Sequence, residues 1–156
     1  MKIKNIFLLL IFFTFGCGFS PIYLDKKDYK FSIENITLKG DTALNNYLRS
    51  NLAQYKKEDA ENKFFIEAET IYKKNVLSKD KTGKISNYEL TAEVIFEIVS
   101  HNKKISFNDE KLFESISDKF QEREYENTIK QNFSKSFSDK LIFELELLRW
   151  SSSIMK

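Results

Sequence analysis

Apolar and polar residues alternate along residues 29–38, which is the pattern of a β-strand with one buried face. The apolar positions hold one phase and then slip by one residue: Tyr29, Phe31 and Ile33, then Ile36 and Leu38. A slip of this kind is typical of a β-bulge. The pattern therefore predicts a first strand with a bulge near its middle, and Lys39-Gly40-Asp41 predicts the turn that ends it.

A helical pattern follows this turn. Asp41 is a good N-cap residue, and it begins a segment that reads as a helix to about Lys57. Its apolar residues recur at spacings of three and four: Leu44, Tyr47, Leu48, Leu52 and Tyr55. Asn45, Asn46 and Arg49 fall off this face and are expected to point away from the core.

The middle of the chain alternates again, over residues 64–77 and 85–99, which predicts two long strands. Asp80-Lys81-Thr82-Gly83 forms the turn between them, and Gly83 can adopt a positive φ there. The outward face of the second of these strands carries Glu89, Glu93 and Glu97, a solvated face rather than a carboxylate site. A turn at residues 101–103 leads to a weaker fourth strand, running from Ile105 towards Phe113.

The last long segment, residues 118–150, reads as a helix. Its apolar residues recur every four positions: Tyr125, Ile129, Phe133, Phe137, Leu141 and Leu145. Each four-residue step drifts by about 40° on a helix with 3.6 residues per turn. We therefore expect curvature, or a break near Ser134, Ser136 and Ser138. Tyr125, Phe133 and Phe137 read as helix core rather than as a ligand site.

The order β-α-β-β-β-α predicts an α+β fold. It is a two-layer sandwich in which two helices pack on an essentially four-stranded, largely antiparallel sheet. The single domain spans residues 29–150, and residues 151–156 form a tail. Each long strand measures about 45 Å at 3.3 Å per residue, whereas the first helix measures about 25 Å. The first helix cannot cover the hairpin alone, so the rest is covered by the last helix, covered by a partner, or left projecting.

Composition excludes several classes of function. The chain has only one Cys and one His, so it cannot form a multi-cysteine zinc site or a two-histidine metal site. We therefore expect no cofactor. No Gly-x-Ser-x-Gly elbow accompanies any serine, and His101 falls in a turn, so an enzyme is not expected. Without the first sixteen residues, which contain Lys2 and Lys4, 23 basic residues face 23 acidic ones. This balance does not indicate a nucleic-acid-binding protein.

The N-terminus has the pattern of a secretory signal. Lys2 and Lys4 precede an uncharged apolar run over residues 6–15, and Gly16-Cys17 follows it. As a helix the run measures about 15 Å, too short to span a bilayer well. The pattern predicts a lipoprotein signal peptide over residues 1–16, an N-acyl diacylglycerol group on Cys17 and a lipidated tether over residues 17–28. A retained short membrane anchor, or a chance cysteine near an ordinary cleavage site, remains the alternative.

The turn of the long hairpin is basic. Five lysines meet one acid, Asp80, between residues 73 and 84, a local balance of +4: Lys73, Lys74, Lys79, Lys81 and Lys84. Val76 and Leu77 lie among them. Cations beside apolar side chains suit a phosphorylated amphiphile, in which phosphate and acyl chain are adjacent. The alternative is a solvated lysine-rich loop.

Two segments carry a resemblance to a known family. Residues 17–23, Cys-Gly-Phe-Ser-Pro-Ile-Tyr, resemble the Cys-Gly-Phe-x-Pro-Leu-Tyr start of mature alphaproteobacterial lipopolysaccharide-assembly lipoproteins, the LptE-like family. Leu48-Arg49-Ser50-Asn51-Leu52 fits the Leu-Arg-x-x-Leu core of that family's first helix. The order of elements and the chain length are similar as well.

The resemblance implies an outer-membrane lipoprotein on the periplasmic side. It would plug the large β-barrel translocon for lipopolysaccharide, help it assemble, and bind lipopolysaccharide during its insertion into the outer leaflet. The five hairpin lysines would then bind lipopolysaccharide phosphates or sugar acids. The remaining alternative is a different envelope lipoprotein that binds another complex or an apolar ligand. A pocket inside the domain, or the absence of a barrel partner, would favour that alternative.

Overall fold

The computed structural model of the chain describes residues 29–154. Four strands and two helices make up this part, with a 3₁₀ turn at Val99–His101 between the third and fourth strands. Their bounds are β1 Phe31–Gly40, α1 Thr42–Ala53, β2 Asn62–Lys79, β3 Ile85–Ile98, β4 Lys103–Glu114 and α2 Lys119–Ile154. The predicted signal peptide, tether and Cys17 lie outside the described residues.

The sheet has the strand order β1-β2-β3-β4. β1 and β2 run parallel, because α1 carries the chain back across the sheet between them, whereas the β2–β3 and β3–β4 pairs are antiparallel. The register of β1 shifts between Ile33 and Asn35, where the sequence predicted a bulge. The predicted α+β architecture and its largely antiparallel sheet are confirmed. β4 is a full strand of 12 residues rather than the weak one expected.

Both helices pack on one face of the sheet and enclose a single core. Leu44, Leu48 and Leu52 of α1 are at most 2% exposed, as their spacing predicted. The expectation that Asn45 points away is wrong. It is buried, and Thr70 Oγ1 donates a hydrogen bond to its side-chain oxygen over 2.9 Å. This bond compensates the polar group for its burial.

Gly40 and Asp41 join β1 to α1 in a tight corner. Asp41 caps the helix as predicted, since its Oδ1 accepts from the Leu44 N–H at 2.9 Å. Gly40 has φ +99°, and a Cβ placed there would lie 1.8 Å from the Thr70 carbonyl oxygen. The close approach of β2 therefore requires glycine at this position.

α1 ends at Ala53, so the predicted end near Lys57 is wrong. The reason is tertiary, because the next residues bind β1 rather than continue the helix. The Tyr55 carbonyl accepts from the Ile33 N–H at 3.0 Å, and the Lys57 N–H donates to Ser32 Oγ at 2.9 Å. These bonds satisfy backbone groups of the edge strand where its bulge interrupts regular pairing.

α2 runs without a break from Lys119 to Ile154, through the serines where a break was one expectation and into the segment predicted as a tail. Because the apolar positions drift around the helix axis, the buried face of α2 is wider than a single straight stripe. Ser134 and Ser138 are at most 3% exposed beside Phe133 and Phe137. Small side chains at these positions let the two helices approach, and Ser134 Oγ donates to the Leu44 carbonyl of α1. Within residues 29–154, no helix has the length and apolarity needed to cross a membrane.

Candidate functional site

The distal end of the β2–β3 hairpin projects beyond the helices. Lys74 of β2 lies level with Glu122 near the start of α2, and β2 continues for five residues to Lys79. At 3.3 Å per residue this extension measures about 16 Å. β4 pairs with β3 as far as Asn87, and the Ser115 N–H just after β4 donates to the Ser86 carbonyl at 2.8 Å, so only the turn itself has no neighbouring strand. The projecting part of the hairpin, residues 75–86, together with Lys73 and Lys74 at its base, is called the tip below.

The turn of the tip is held in one shape by Asp80. Its Oδ1 accepts from the Thr82 N–H, the Thr82 hydroxyl and the Lys84 N–H at 2.8, 2.6 and 3.0 Å. The Thr82 hydrogen bonds are the main cause that lowers the pKa of Asp80, so the carboxyl stays ionised. Gly83 takes φ +83° with open space around it. The turn therefore presents Lys81 and Lys84 from a fixed backbone.

Four of the five predicted lysines form an exposed cationic surface. Among residues 29–154, no carboxylate lies within 4 Å of these four ammonium groups: Lys73, Lys79, Lys81 and Lys84. Val76 and Leu77, 47% and 54% exposed, lie between Lys73 and Lys79. The arrangement offers free cations next to apolar surface, as the sequence indicated.

Lys74 lies on the other face of β2, towards α2. Its Nζ is 3.2 Å from Glu122 Oε1, 2.9 Å from Glu126 Oε2 and 4.3 Å from the centre of the Tyr88 ring. Burial lowers its pKa, but hydrogen bonds to Glu126 and Glu122 outweigh burial and raise it. Two carboxylates already pair with the Lys74 ammonium group. Lys74 therefore does not belong to the exposed cationic surface that the other four lysines form.

Glu122 is the centre of the contacts that join the hairpin to α2. The residue is 5% exposed, and its two oxygens accept from four groups: Lys74 Nζ, Ser115 Oγ, the Ile116 N–H and Lys119 Nζ. Burial raises its pKa, but the bonds from Lys119 and Lys74 prevail and lower the pKa to about 2. An ionised Glu122 therefore fixes the hairpin on the helix.

We expect the Glu122→Gln variant to lose about 1–3 kcal/mol of its free energy of unfolding at pH 7, because charge-assisted hydrogen bonds are removed from a buried site. The folded pKa lies below the unfolded value of 4.5. The contribution is therefore present above pH 4.5 and is lost as the pH falls towards 2. Urea unfolding at pH 7 and pH 3 measures both effects. Glu124→Gln, an exposed neighbour, is the control, and equal losses in both variants would contradict the assignment.

The face of the sheet opposite the helices is charged and mostly acidic. Glu89, Glu93 and Glu97 lie there, as predicted, and Glu97 sits opposite Glu67 in the β2–β3 register. Lys104 of β4 lies 2.9 Å from Glu97 and relieves part of that repulsion. Exposed apolar residues interrupt this face at Phe65 and Leu112, 47% and 58% exposed. In the described part of the chain, neither helix packs on it.

An open cavity of about 520 Å³ lies between the end of β4 and the start of α2, a feature that the sequence pattern does not indicate. Lys111, Phe113, Ile116 and Tyr125 are among its lining residues. The expectation that Tyr125 belongs to the core is wrong, because it is 42% exposed and leans on Phe113 with 5.5 Å between ring centres. Phe133 and Phe137 are core residues as predicted. Only the long-range meeting of β4 with the start of α2 creates the cavity.

The acidic residues and His101 form no metal-binding cluster among residues 29–154. No group of three His, Cys, Asp or Glu residues there could hold a metal ion. His101 is exposed in the 3₁₀ turn, as predicted, with Ser100 Oγ 2.9 Å from its Nδ1 and the Phe64 ring beside it. No carboxylate lies within 4 Å of its ring in this part of the chain.

Comparison with known proteins identifies relatives. The model of the LptE family, described as lipopolysaccharide-assembly, matches residues 30–145. The fold resembles rare lipoprotein B from Shewanella oneidensis at 17% identity, over 76% of this chain and 98% of that one, with a TM-score of 0.50. A lipoprotein B from Nitrosomonas europaea aligns at 12% identity over 72% and 83% of the two chains, with a TM-score of 0.48. No curated protein sequence matches the chain.

Proposed function

The chain belongs to the LptE family of lipopolysaccharide-assembly proteins, and from this premise we propose that it plugs the lipopolysaccharide translocon barrel of the outer membrane. In this role it helps the barrel assemble and binds lipopolysaccharide during its insertion into the outer leaflet. The protein acts by binding and placement, without covalent catalysis. The observation that carries the proposal is the projecting tip, which bears four unpaired cations beside exposed apolar side chains.

Lipopolysaccharide has the chemistry that this tip fits. Its lipid A carries phosphates next to acyl chains, and ammonium groups bind phosphate oxygens through strong charge-assisted hydrogen bonds. These donors are the ammonium groups of Lys73, Lys79, Lys81 and Lys84. Val76 and Leu77 beside them offer apolar contacts. Lys74 contributes indirectly, because its pairs with Glu122 and Glu126 hold the base of the tip on α2.

The charged face of the sheet suits the wall of a barrel lumen. Lumen-facing side chains of outer-membrane barrels are polar, whereas their outer surface is apolar. A domain inside the lumen therefore needs a polar surface on the side that the helices leave open. The glutamates of β2 and β3 and the lysines beside them provide such a surface. We propose that this face contacts the barrel wall.

The N-terminal segment supplies the attachment. We propose that cleavage before Cys17 and acylation of its thiol and new amine anchor the chain in the inner leaflet of the outer membrane. Two or more acyl chains give stable anchoring, at about 0.8 kcal/mol per buried CH₂. The anchor would hold the domain at the periplasmic mouth of the barrel.

Crosslinking in the outer membrane tests the proposal. The full chain is produced with an affinity tag in the Gram-negative bacterium that encodes it, crosslinked in cells, and its captured partners are identified by mass spectrometry. We expect capture of the large translocon barrel, and loss of that capture in the Cys17→Ser variant. Recovery of the chain alone, or with an inner-membrane protein, would contradict the proposal.

A further inference from the structure

Three large apolar side chains stand exposed on one face of the C-terminal part of α2. Phe143, Leu147 and Trp150 are 63%, 47% and 65% exposed. Their spacing of four and three residues puts them side by side on the helix surface. Leu141 and Leu145, which are fully buried, hold the opposite side against the core. We call these three residues the α2 stripe.

The α2 stripe begins where the outward face of the helix changes character. One, two and three turns before Phe143, the same face carries Asp139, Ser136 and Asn132. A helix face that meets only water is normally polar along its whole length. The change after Asp139 therefore indicates that the last turns of α2 meet a different environment from the earlier ones. In the described part of the chain, no other element covers the stripe.

Contacts between α2 and the sheet show how far along the strands the stripe lies. Glu144 Oε2 lies 2.9 Å from Lys103 Nζ at the start of β4. Through the register, Lys103 is level with Ile98 of β3 and Ile66 of β2. Trp150 is six residues further along the helix, about 9 Å. Asn62, where β2 begins, is four residues back from Ile66, about 13 Å along the strand. The stripe therefore lies near the end of the sheet where β2 begins.

The described chain enters the domain at this same end. Phe31 pairs with Asn62, and Tyr29 packs beside it with 5.5 Å between ring centres. The basic tip lies at the other end of β2. Cys17 precedes Tyr29 by 12 residues, a reach of at most about 42 Å. An acyl group on Cys17 would therefore attach the chain at most about 42 Å from Tyr29, and a retained apolar run ending at residue 15 at most about 49 Å, at the end of the domain where the α2 stripe lies.

We propose that the α2 stripe lies in the interface of the phospholipid leaflet to which the N-terminus is attached. Trp and Phe side chains favour the boundary between headgroups and acyl chains. Amphipathic helices bury such a face there while their polar side stays in water. The neighbouring charges are already paired, Glu144 with Lys103 and Glu146 with Arg149 at 2.9 Å. Their pairing lowers the cost of bringing them close to lipid.

Trp150 is the only tryptophan of the chain and reports its own surroundings. The full chain, purified from membranes, is reconstituted into vesicles of phosphatidylethanolamine and phosphatidylglycerol, with and without bromine on the acyl chains. We expect blue-shifted Trp150 emission that brominated lipid quenches. In the double variant Phe143→Ser, Leu147→Ser, the ratio of lipid-buried to water-exposed Trp150 should fall on the order of tenfold, because buried apolar area is lost. Phe120→Ser, which removes an exposed phenylalanine at the other end of α2, is the control and should keep the quenching.

Three results would overturn the proposal. Water-exposed Trp150 emission in both kinds of vesicle would show that the stripe meets no lipid. Blue-shifted emission without bromine quenching, dependent on protein concentration, would assign the stripe to a second copy of the chain. The same emission independent of concentration would assign it to residues 17–28. The assay contains neither barrel nor lipopolysaccharide, so its failure leaves the proposed function standing.

Discussion

Replacement of Gly40 by alanine is expected to lower the free energy of unfolding by about 3–5 kcal/mol, enough to unfold a domain of ordinary stability in part. An L-residue at positive φ costs about 1–2 kcal/mol. The larger cause is steric, because the new Cβ would lie 1.8 Å from the Thr70 carbonyl oxygen of the paired strand. That carbonyl also accepts the Asp41 N–H at 3.2 Å, so the clash disturbs the start of α1.

Gly83→Ala is the matched control for this prediction. Gly83 also has positive φ, but a Cβ there meets no atom within 4 Å. Its substitution should cost only about 1–2 kcal/mol, since the backbone term remains and the clash is absent. Thermal and urea unfolding of both variants, followed by circular dichroism, measures the difference. Equal losses would contradict the close approach of β1 and β2 at Gly40.

Reversal of the four exposed lysines is expected to weaken lipopolysaccharide binding by about a hundredfold or more at low ionic strength. In this variant, Lys73, Lys79, Lys81 and Lys84 are all replaced by Glu. Each ammonium–phosphate contact is a charge-assisted hydrogen bond worth about 1.5–3 kcal/mol, and the substituted carboxylates repel phosphate. The four side chains are exposed, so the free energy of unfolding should change little. Titration of the chain with purified lipopolysaccharide, at low and high salt, measures the effect.

A second quadruple variant separates local from general electrostatics. Lys30, Lys39, Lys56 and Lys135 are exposed outside the tip, and their replacement by Glu changes the net charge by the same amount. This control should lose much less affinity than the tip variant. A similar loss in both would show that lipopolysaccharide responds to net charge alone. Unchanged affinity of the tip variant at low salt would remove the proposed site.

Local sequence patterns predicted most of the helices and strands, because interactions between residues close in sequence determine where these elements form. The phase slip in β1 corresponds to the observed bulge, and Asp41 caps α1, since both features depend on residues close in sequence. The order of elements and the exposed tip lysines were predicted for the same reason. The lipidated N-terminus stays a prediction, since Cys17 lies outside the described residues.

Long-range contacts account for what the sequence did not predict. Lys74 looks like one more lysine of the turn, but its partners Glu122 and Glu126 lie 48 and 52 residues away. The end of α1 depends on hydrogen bonds from residues 55 and 57 to β1. The α2 stripe could have been found, since Phe143, Leu147 and Trp150 have helical spacing. Only the structure shows that the core takes the opposite side of the helix.

In the proposed function, the tip contacts lipopolysaccharide while the open face of the sheet contacts the barrel. A photoreactive amino acid placed in living cells, in turn at Lys81 of the turn and at Glu93 of β3, tests it most directly. We expect the probe at position 81 to capture lipopolysaccharide and the probe at position 93 to capture the translocon barrel. Capture of neither partner at either position, with the protein folded and present in the outer membrane, would contradict the account.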